Sequence, residues 1–208
     1  MKERPIIFNA DMVRAILDGR KTQTRRPMKL QPGKVTDSGR PLFYEHGVHG
    51  RRVSPKFPFG QPGDRLWVRE TCKAEELESG LDGVRYAADL AFVPIKDSKQ
   101  AAEDWLILST YRKKKNQHGQ SNTVPSIHMP RWASRILLEI TDVRVQRLQD
   151  VSKDDAKAEG WRSCVTNPGD MPPLFWFHAI FEDIYGAELC DKNPWVWAVE
   201  FKRIEADA

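Results

Sequence analysis

The sequence predicts an α+β fold: a small β-barrel with two or three flanking helices and long loop insertions. Two observations lead there. Short alternating apolar stretches outnumber helical ones, and turn formers are frequent, with 14 Pro and 13 Gly among 208 residues. Seven Trp, nine Phe and four Tyr supply bulky groups for a core. The length suits one domain, so residues 1–208 read as a single unit with insertions near 28–62 and 96–124, without internal repeats.

The elements follow in order. "PIIFN" reads as a short strand. "ADMVRAILDG" places Met12, Val13, Ile16 and Leu17 at helical spacing, and Gly19 sits where such a helix stops. "KTQTRR" leaves in extended form and ends at Pro27. Residues 28–62 are rich in Pro, Gly and basic side chains, which predicts a long excursion. "DRLWVRET" and "GVRYAADL" read as neighbouring strands, and the polar stretch 96–124 as an exposed insertion. "PRWASRILLEITDVRVQRLQ" opens with a turn. Ile136, Leu138 and Ile140, then Val143 and Val145 after an irregularity, make a long or bent strand. "SKDDAKAEGW" is a short helix with Ser152 as N-cap, Asp155 in a capping-box position and Gly160 as the stop. "PPLFWFHAIFEDIYG" is a further helix ending at Gly186. "NPWVWAVEFKRI" closes the chain as a strand with Trp195, Trp197, Val199 and Phe201 on one face.

The formal charge of +4 and a pI of about 9.0 suit a polyanionic partner, although many ordinary enzymes carry as much. Cys72, Cys164 and Cys190 are odd in number and widely spaced, which suits free thiols in a reducing cytoplasm. "MKERPIIFNADM" meets charged residues too early for a signal peptide. No apolar run approaches the roughly 20 residues of a membrane span. A cytoplasmic location away from membranes is therefore expected.

Chemistry concentrates in "GRKTQTRR". One reading is a solvated basic edge strand. Another is a phosphate grip, because Arg20, Arg25 and Arg26 offer bidentate forks. In a third, Thr24 is a nucleophile activated by Lys21, whose amine acts as a base when burial lowers its pKa. Residues three apart in a straight strand point to opposite faces, so this last reading asks for a turn or bulge. His46 and His49 in "HGVH" lack metal-ligand partners at useful spacing. "SIHMPRW" places His128, Arg131 and Trp132 around a proline turn, with His128 and Arg131 as candidate substrate or nucleic-acid contacts and Trp132 either packed in the core or stacking a base, and "RKKK" (112–115) is a solvated run or a nonspecific phosphate contact. Glu159 alone reads as a surface carboxylate. No phosphate loop, Ser-His-Asp order or zinc signature occurs, so neither metal nor cofactor is expected.

"ILDGRKTQTRR", then "PGDRLWVRET", "LEITDVRVQRLQDVSKDDAKAEG" and the final "WVWAVEFKRI" resemble the ASCH domain superfamily, and especially its long members common in phages and prophages. The likeness spans nearly the whole chain outside the two insertions. It implies a PUA-like barrel whose cleft takes RNA or a modified base. One branch of small bacterial members, about half this size, is the N4-acetylcytidine amidohydrolases, which use a lysine, a threonine and a glutamate. The resemblance carries these roles onto Lys21, Thr24 and Glu159. It also implies that Trp67, Arg69, Glu70, Tyr86 and Asp89 line the cleft, with Trp67 either stacking a base or packed in the core. Three functions remain open on this basis: an amidohydrolase of N4-acylated cytosine, free or in RNA; a module that binds RNA or a modified base without chemistry; and a metal-independent ribonuclease.

Overall fold

The computed structural model describes residues 1–44, 50–111, 123–162 and 171–205. His46 and His49, the 112–115 run and Cys164 lie outside the described residues. The class is α+β, as the sequence predicts, with no closed barrel among the described residues. Contacts divide the chain into two compact units. The first comprises Met1–Lys2, Gly19–Asp64 and Glu139–Lys202; the second comprises Glu3–Asp18, Arg65–Leu138 and Arg203–Ala208.

In the second unit, β1 (Glu3–Ile7) runs parallel to β6 (Arg65–Arg69), with Ile6 opposite Val68. The Val68 N–H donates to the Ile136 carbonyl at 3.0 Å, just before β10 (Leu137–Arg147) begins. Between β1 and Gly19, α1 (Ala10–Leu17) starts at Asn9, whose side chain accepts the Met12 N–H at 2.9 Å. Its Val13, Ala15 and Ile16 turn inward. A second sheet joins β7 (Cys72–Glu76), β8 (Asp82–Tyr86) and β9 (Phe92–Pro94) in antiparallel order. Its apolar face packs Cys72, Val84 and Tyr86 against Leu108, Val124, Met129 and Ala133.

The 96–124 insertion departs from the expected open loop. It carries α2 (Lys99–Ser109), begun by a Ser98 cap on the Ala101 N–H. The polar composition hid this helix because only one narrow side of it is buried, at Leu108 and Ser109.

In the first unit, β2 (Gln23–Pro27) pairs antiparallel with β11 (Trp195–Ile204), placing Thr24 opposite Val199 and Arg25 opposite Ala198. The expected excursion at 28–62 is partly sheet: β3 (Lys34–Val35), β4 (Pro41–Tyr44) and β5 (Arg52–Val53) form a small antiparallel array. The long or bent strand expected across Ile136 to Val145 is β10, continuous over 11 residues through the expected irregularity. Three helices follow: α3 (Lys153–Ala158), α4 (Pro173–Tyr185) and α5 (Ala187–Asp191). Leu148, Val151, Ala156, Phe177, Phe181 and Val196 form their shared core. Both faces of β11 are buried from Trp195 to Val199, so the single apolar face expected of it is only half of what it buries.

Gly83 illustrates how tightly the second unit's sheet is built. A β-carbon there would collide with the Phe92 ring and lie 2.6 Å from the Val93 carbonyl oxygen. Gly83→Ala is therefore expected to lower unfolding stability by about 1–3 kcal/mol through overpacking, measured by urea denaturation. An unchanged midpoint would show that β8 and β9 are not in this contact.

Candidate active site

The site begins with strand alternation. Lys21, Gln23 and Arg25 share one parity in the extended segment, and their side chains converge on common partners. Lys21 Nζ donates to Glu159 Oε2 at 2.7 Å and to the Glu159 carbonyl at 3.0 Å. Arg25 Nη1 donates to the other carboxylate oxygen, Oε1, at 2.9 Å and to Gln23 Oε1 at 3.0 Å. The backbones reinforce this, since Lys21 and Glu159 form an isolated antiparallel bridge and the Thr22 N–H donates to the Ala158 carbonyl at 2.8 Å.

Glu159 reaches this place because α3 stops there. Ser152 caps the Asp155 N–H while Asp155 caps the Ser152 N–H, the reciprocal capping box that the sequence predicts. Glu159 is the C-terminal cap, and Gly160 turns the chain at φ +109°, a region that favours glycine. The same Asp155 also serves the site. Its Oδ1 lies 3.1 Å from Arg25 Nη2 and accepts from Arg144 Nη2 at 2.8 Å. Arg144 Nη1 donates to Glu200, and Gln23 Nε2 donates to the same Glu200 oxygen at 2.9 Å. Arg25, Asp155, Arg144, Glu200 and Gln23 thus close a ring of polar contacts, with the Lys21–Glu159 pair attached at Arg25.

Burial sets the electrostatics. The side chains of Lys21 and Arg25 have 0% exposure and that of Glu159 has 7%. Burial pushes the Lys21 amine below its ordinary value of 10.5; Glu159 opposes that shift, and Arg26 and Arg25 add to it by repulsion. For Asp155, burial favours the neutral acid, but hydrogen bonds from Ser152 and the charge of Arg25 outweigh it and hold the carboxyl at about 2.

Thr24 has the opposite parity from Lys21 and Arg25. It is 2% exposed on β2, and among the described residues no hydrogen bond joins its hydroxyl to Lys21 or Glu159. Arg20 donates to the Gly160 carbonyl, and Arg26 Nη1 donates to the Tyr185 hydroxyl at 3.2 Å. Both are therefore anchored in the first unit.

The residues expected to line the cleft from "WVRET" and "RYAAD" belong to the second unit, where most serve its interior. Glu70, 2% exposed, takes two hydrogen bonds from Arg135 at 2.8 and 2.9 Å, and Arg135 grips Asp89 with two more at 2.9 Å. The Arg135 guanidinium lies 4.0 Å from the Tyr86 ring centroid, and the Tyr86 hydroxyl donates to the Ala133 carbonyl at 2.7 Å. Trp67, 8% exposed, has Arg69 and Arg131 at 4.9 and 5.9 Å from its ring. Arg69 Nε donates to the Met129 carbonyl at 3.0 Å, and Arg131 holds Glu3. His128 is exposed, its ring 5.6 Å from that of Tyr111. Of the two readings for Trp67, its burial supports the core role.

Asp155, Arg144, Gln23 and Glu200 belong to the site without having been singled out for it. Arg144 and Glu200 interrupt apolar strand runs, a signal that a polar cluster lies beneath. No three His, Cys, Asp or Glu side chains among the described residues group as a metal site. No described helix is long and apolar enough to cross a membrane.

No family model, curated protein or solved structure matches this chain.

Removing one member of a buried ion pair leaves the other charge unmet. Glu159→Gln strands Lys21 and Arg25 and is expected to cost about 3–5 kcal/mol of unfolding stability. Lys21→Met leaves Glu159 paired with Arg25 and is expected to cost less, about 1–2 kcal/mol. Urea denaturation of both variants checks the order, and the reverse order would contradict this arrangement.

Proposed function

We propose that this chain is an ASCH-type hydrolase that removes the acyl group from the exocyclic amide of an N4-acylated cytosine, as nucleoside or within RNA. One observation carries the reading. Lys21 and Glu159, singled out by separate motifs 138 positions apart, meet as a buried pair at 2.7 Å. The PUA-like character of the fold is part of this proposal and rests on the sequence resemblance.

The chemistry assigns each group a task. A neutral Lys21 amine accepts a proton from the attacking hydroxyl, and its lowered pKa supports that role. In the covalent route the Thr24 oxygen attacks the acyl carbonyl carbon. The carbon–nitrogen bond then breaks, the proton passes from Lys21 to the departing cytosine nitrogen, and water cleaves the threonine ester to the free carboxylate. Glu159 orients Lys21 and the amine. Arg25 Nε, buried and without an acceptor among the described residues, is a donor for the oxygen on which negative charge develops.

The parity of Thr24 favours a second reading: recognition of RNA or a modified base without covalent catalysis. Incubation with N4-acetylcytidine, with cytidine followed by chromatography, separates the two. Release is expected, falling by at least about 100-fold in Lys21→Met and in Thr24→Val. Release that survives in Thr24→Val would make water the nucleophile. Saturable binding without release would establish the second reading and overturn the hydrolase.

A further inference from the structure

We infer that one face of the small β3–β4–β5 sheet is a binding surface for single-stranded nucleic acid. The sheet lies wholly within the first unit and within the 28–62 insertion, a stretch that the family likeness does not cover.

Pairing register sorts the residues of this sheet onto two faces. Lys34 lies opposite Leu42 and Arg52 opposite Tyr44, so these four share one face. Val35 opposite Pro41 and Phe43 opposite Val53 share the other. Burial tells the faces apart. Phe43 is buried and marks the inward face, whereas Lys34 and Arg52 are exposed and Leu42 and Tyr44 half-buried. Arg40 adds a third exposed cation to the outer face, two positions before Leu42 in the same alternation. The hairpin that carries it is well fixed. The Thr36 N–H donates to the Arg40 carbonyl at 2.9 Å, the Arg40 N–H donates to Thr36 Oγ1 at 2.9 Å, and Gly39 turns the chain at φ +78°.

Charge identifies the partner. Residues 28–62 hold six Lys or Arg against two carboxylates, Asp37 and Glu45. Arg85, Arg131, Arg135 and Arg144 are each held by a carboxylate, but Lys34, Arg40 and Arg52 have no such partner among the described residues. Three unpaired cations around a half-exposed aromatic ring match a chain of phosphates that carries unstacked bases. The cations meet the phosphates, and the Tyr44 ring is a platform for a base. A duplex hides the faces of its bases and gains only the charge attraction. An anionic membrane would also meet the charge, but this face presents no largely exposed apolar side chain to enter it.

Fluorescence anisotropy of a labelled single-stranded RNA oligonucleotide of about 12 nucleotides tests this with the full chain. The same sequence as a duplex and vesicles containing phosphatidylserine are measured beside it. Single-strand binding is expected, weakened about tenfold in Tyr44→Leu, which removes the ring and keeps apolar bulk, while duplex binding stays the same. Arg40→Gln combined with Arg52→Gln should flatten the slope of log affinity against log salt by about 1–1.5. Lys99→Gln, on the exposed side of α2, controls for net charge and should change neither reading. Both arginines are exposed, so their variant keeps the test valid should Tyr44→Leu disturb the sheet. No single-strand binding at low salt, or binding that neither the tyrosine nor the arginine variant alters, would overturn the inference. So would vesicle binding that depends on these arginines without any binding of the oligonucleotide. Binding is read without turnover and with Lys21 and Glu159 intact, so its failure and a failure of acyl hydrolysis are separate results.

Discussion

A carboxylate withdrawn from water must be met by cations, and in the first unit Glu159 sets that demand. Its two oxygens are taken by Lys21 and Arg25, both without solvent exposure. Much of the surrounding structure serves this one contact. The extended segment from Lys21 into β2 alternates so that both cations point the same way. The capping box starts α3, and the turn at Gly160 stops it where Glu159 meets Lys21. Pairing of β2 with β11 brings Glu200 to Gln23, and Arg144 of β10 links Glu200 back to Asp155.

Such a cluster is a costly way to gain stability, since apolar side chains of similar volume often serve as well or better. The second unit solves a similar problem differently. There Arg135 lies between Glu70 and Asp89 with four hydrogen bonds and sits over Tyr86. One guanidinium there bridges two carboxylates with fork geometry, and the arrangement reads as architecture. The first unit instead buries a lysine, a cation whose charge burial can suppress. On the proposed reading, that difference is why Lys21 is assigned the proton transfer.

Much of this was legible in the sequence where local rules decide. The helix at 10–17, the capping box at Ser152 and Asp155 and the terminal strand all follow from caps and periodicity. Lys21 stood out within its basic stretch, but Glu159 was legible only through motif resemblance, because no local pattern signals a contact across 138 positions. Helix α2 was hidden by its polar composition, which its largely exposed surface permits. Glu70 and Tyr86 looked like cleft residues because strand alternation cannot say which face meets solvent. Their partner Arg135 gave no local sign of its role. The polar ring around Asp155 was illegible for the same reason, being assembled from β2, β10, α3 and β11.

The ionisation of Lys21 tests the central claim most directly. Titration of ¹³C-labelled lysine side chains by NMR, with Lys21 assigned through Lys21→Met, should show one amine losing its proton below the ordinary 10.5. The linkage has a definite sign. With the folded pKa lowered, the unfolded chain binds more proton between the two values, so the Lys21 contribution to stability should rise with pH across that window. A Lys21 that titrates at or above 10.5 would contradict the account, because its charge would then be stabilised by the fold rather than suppressed by it.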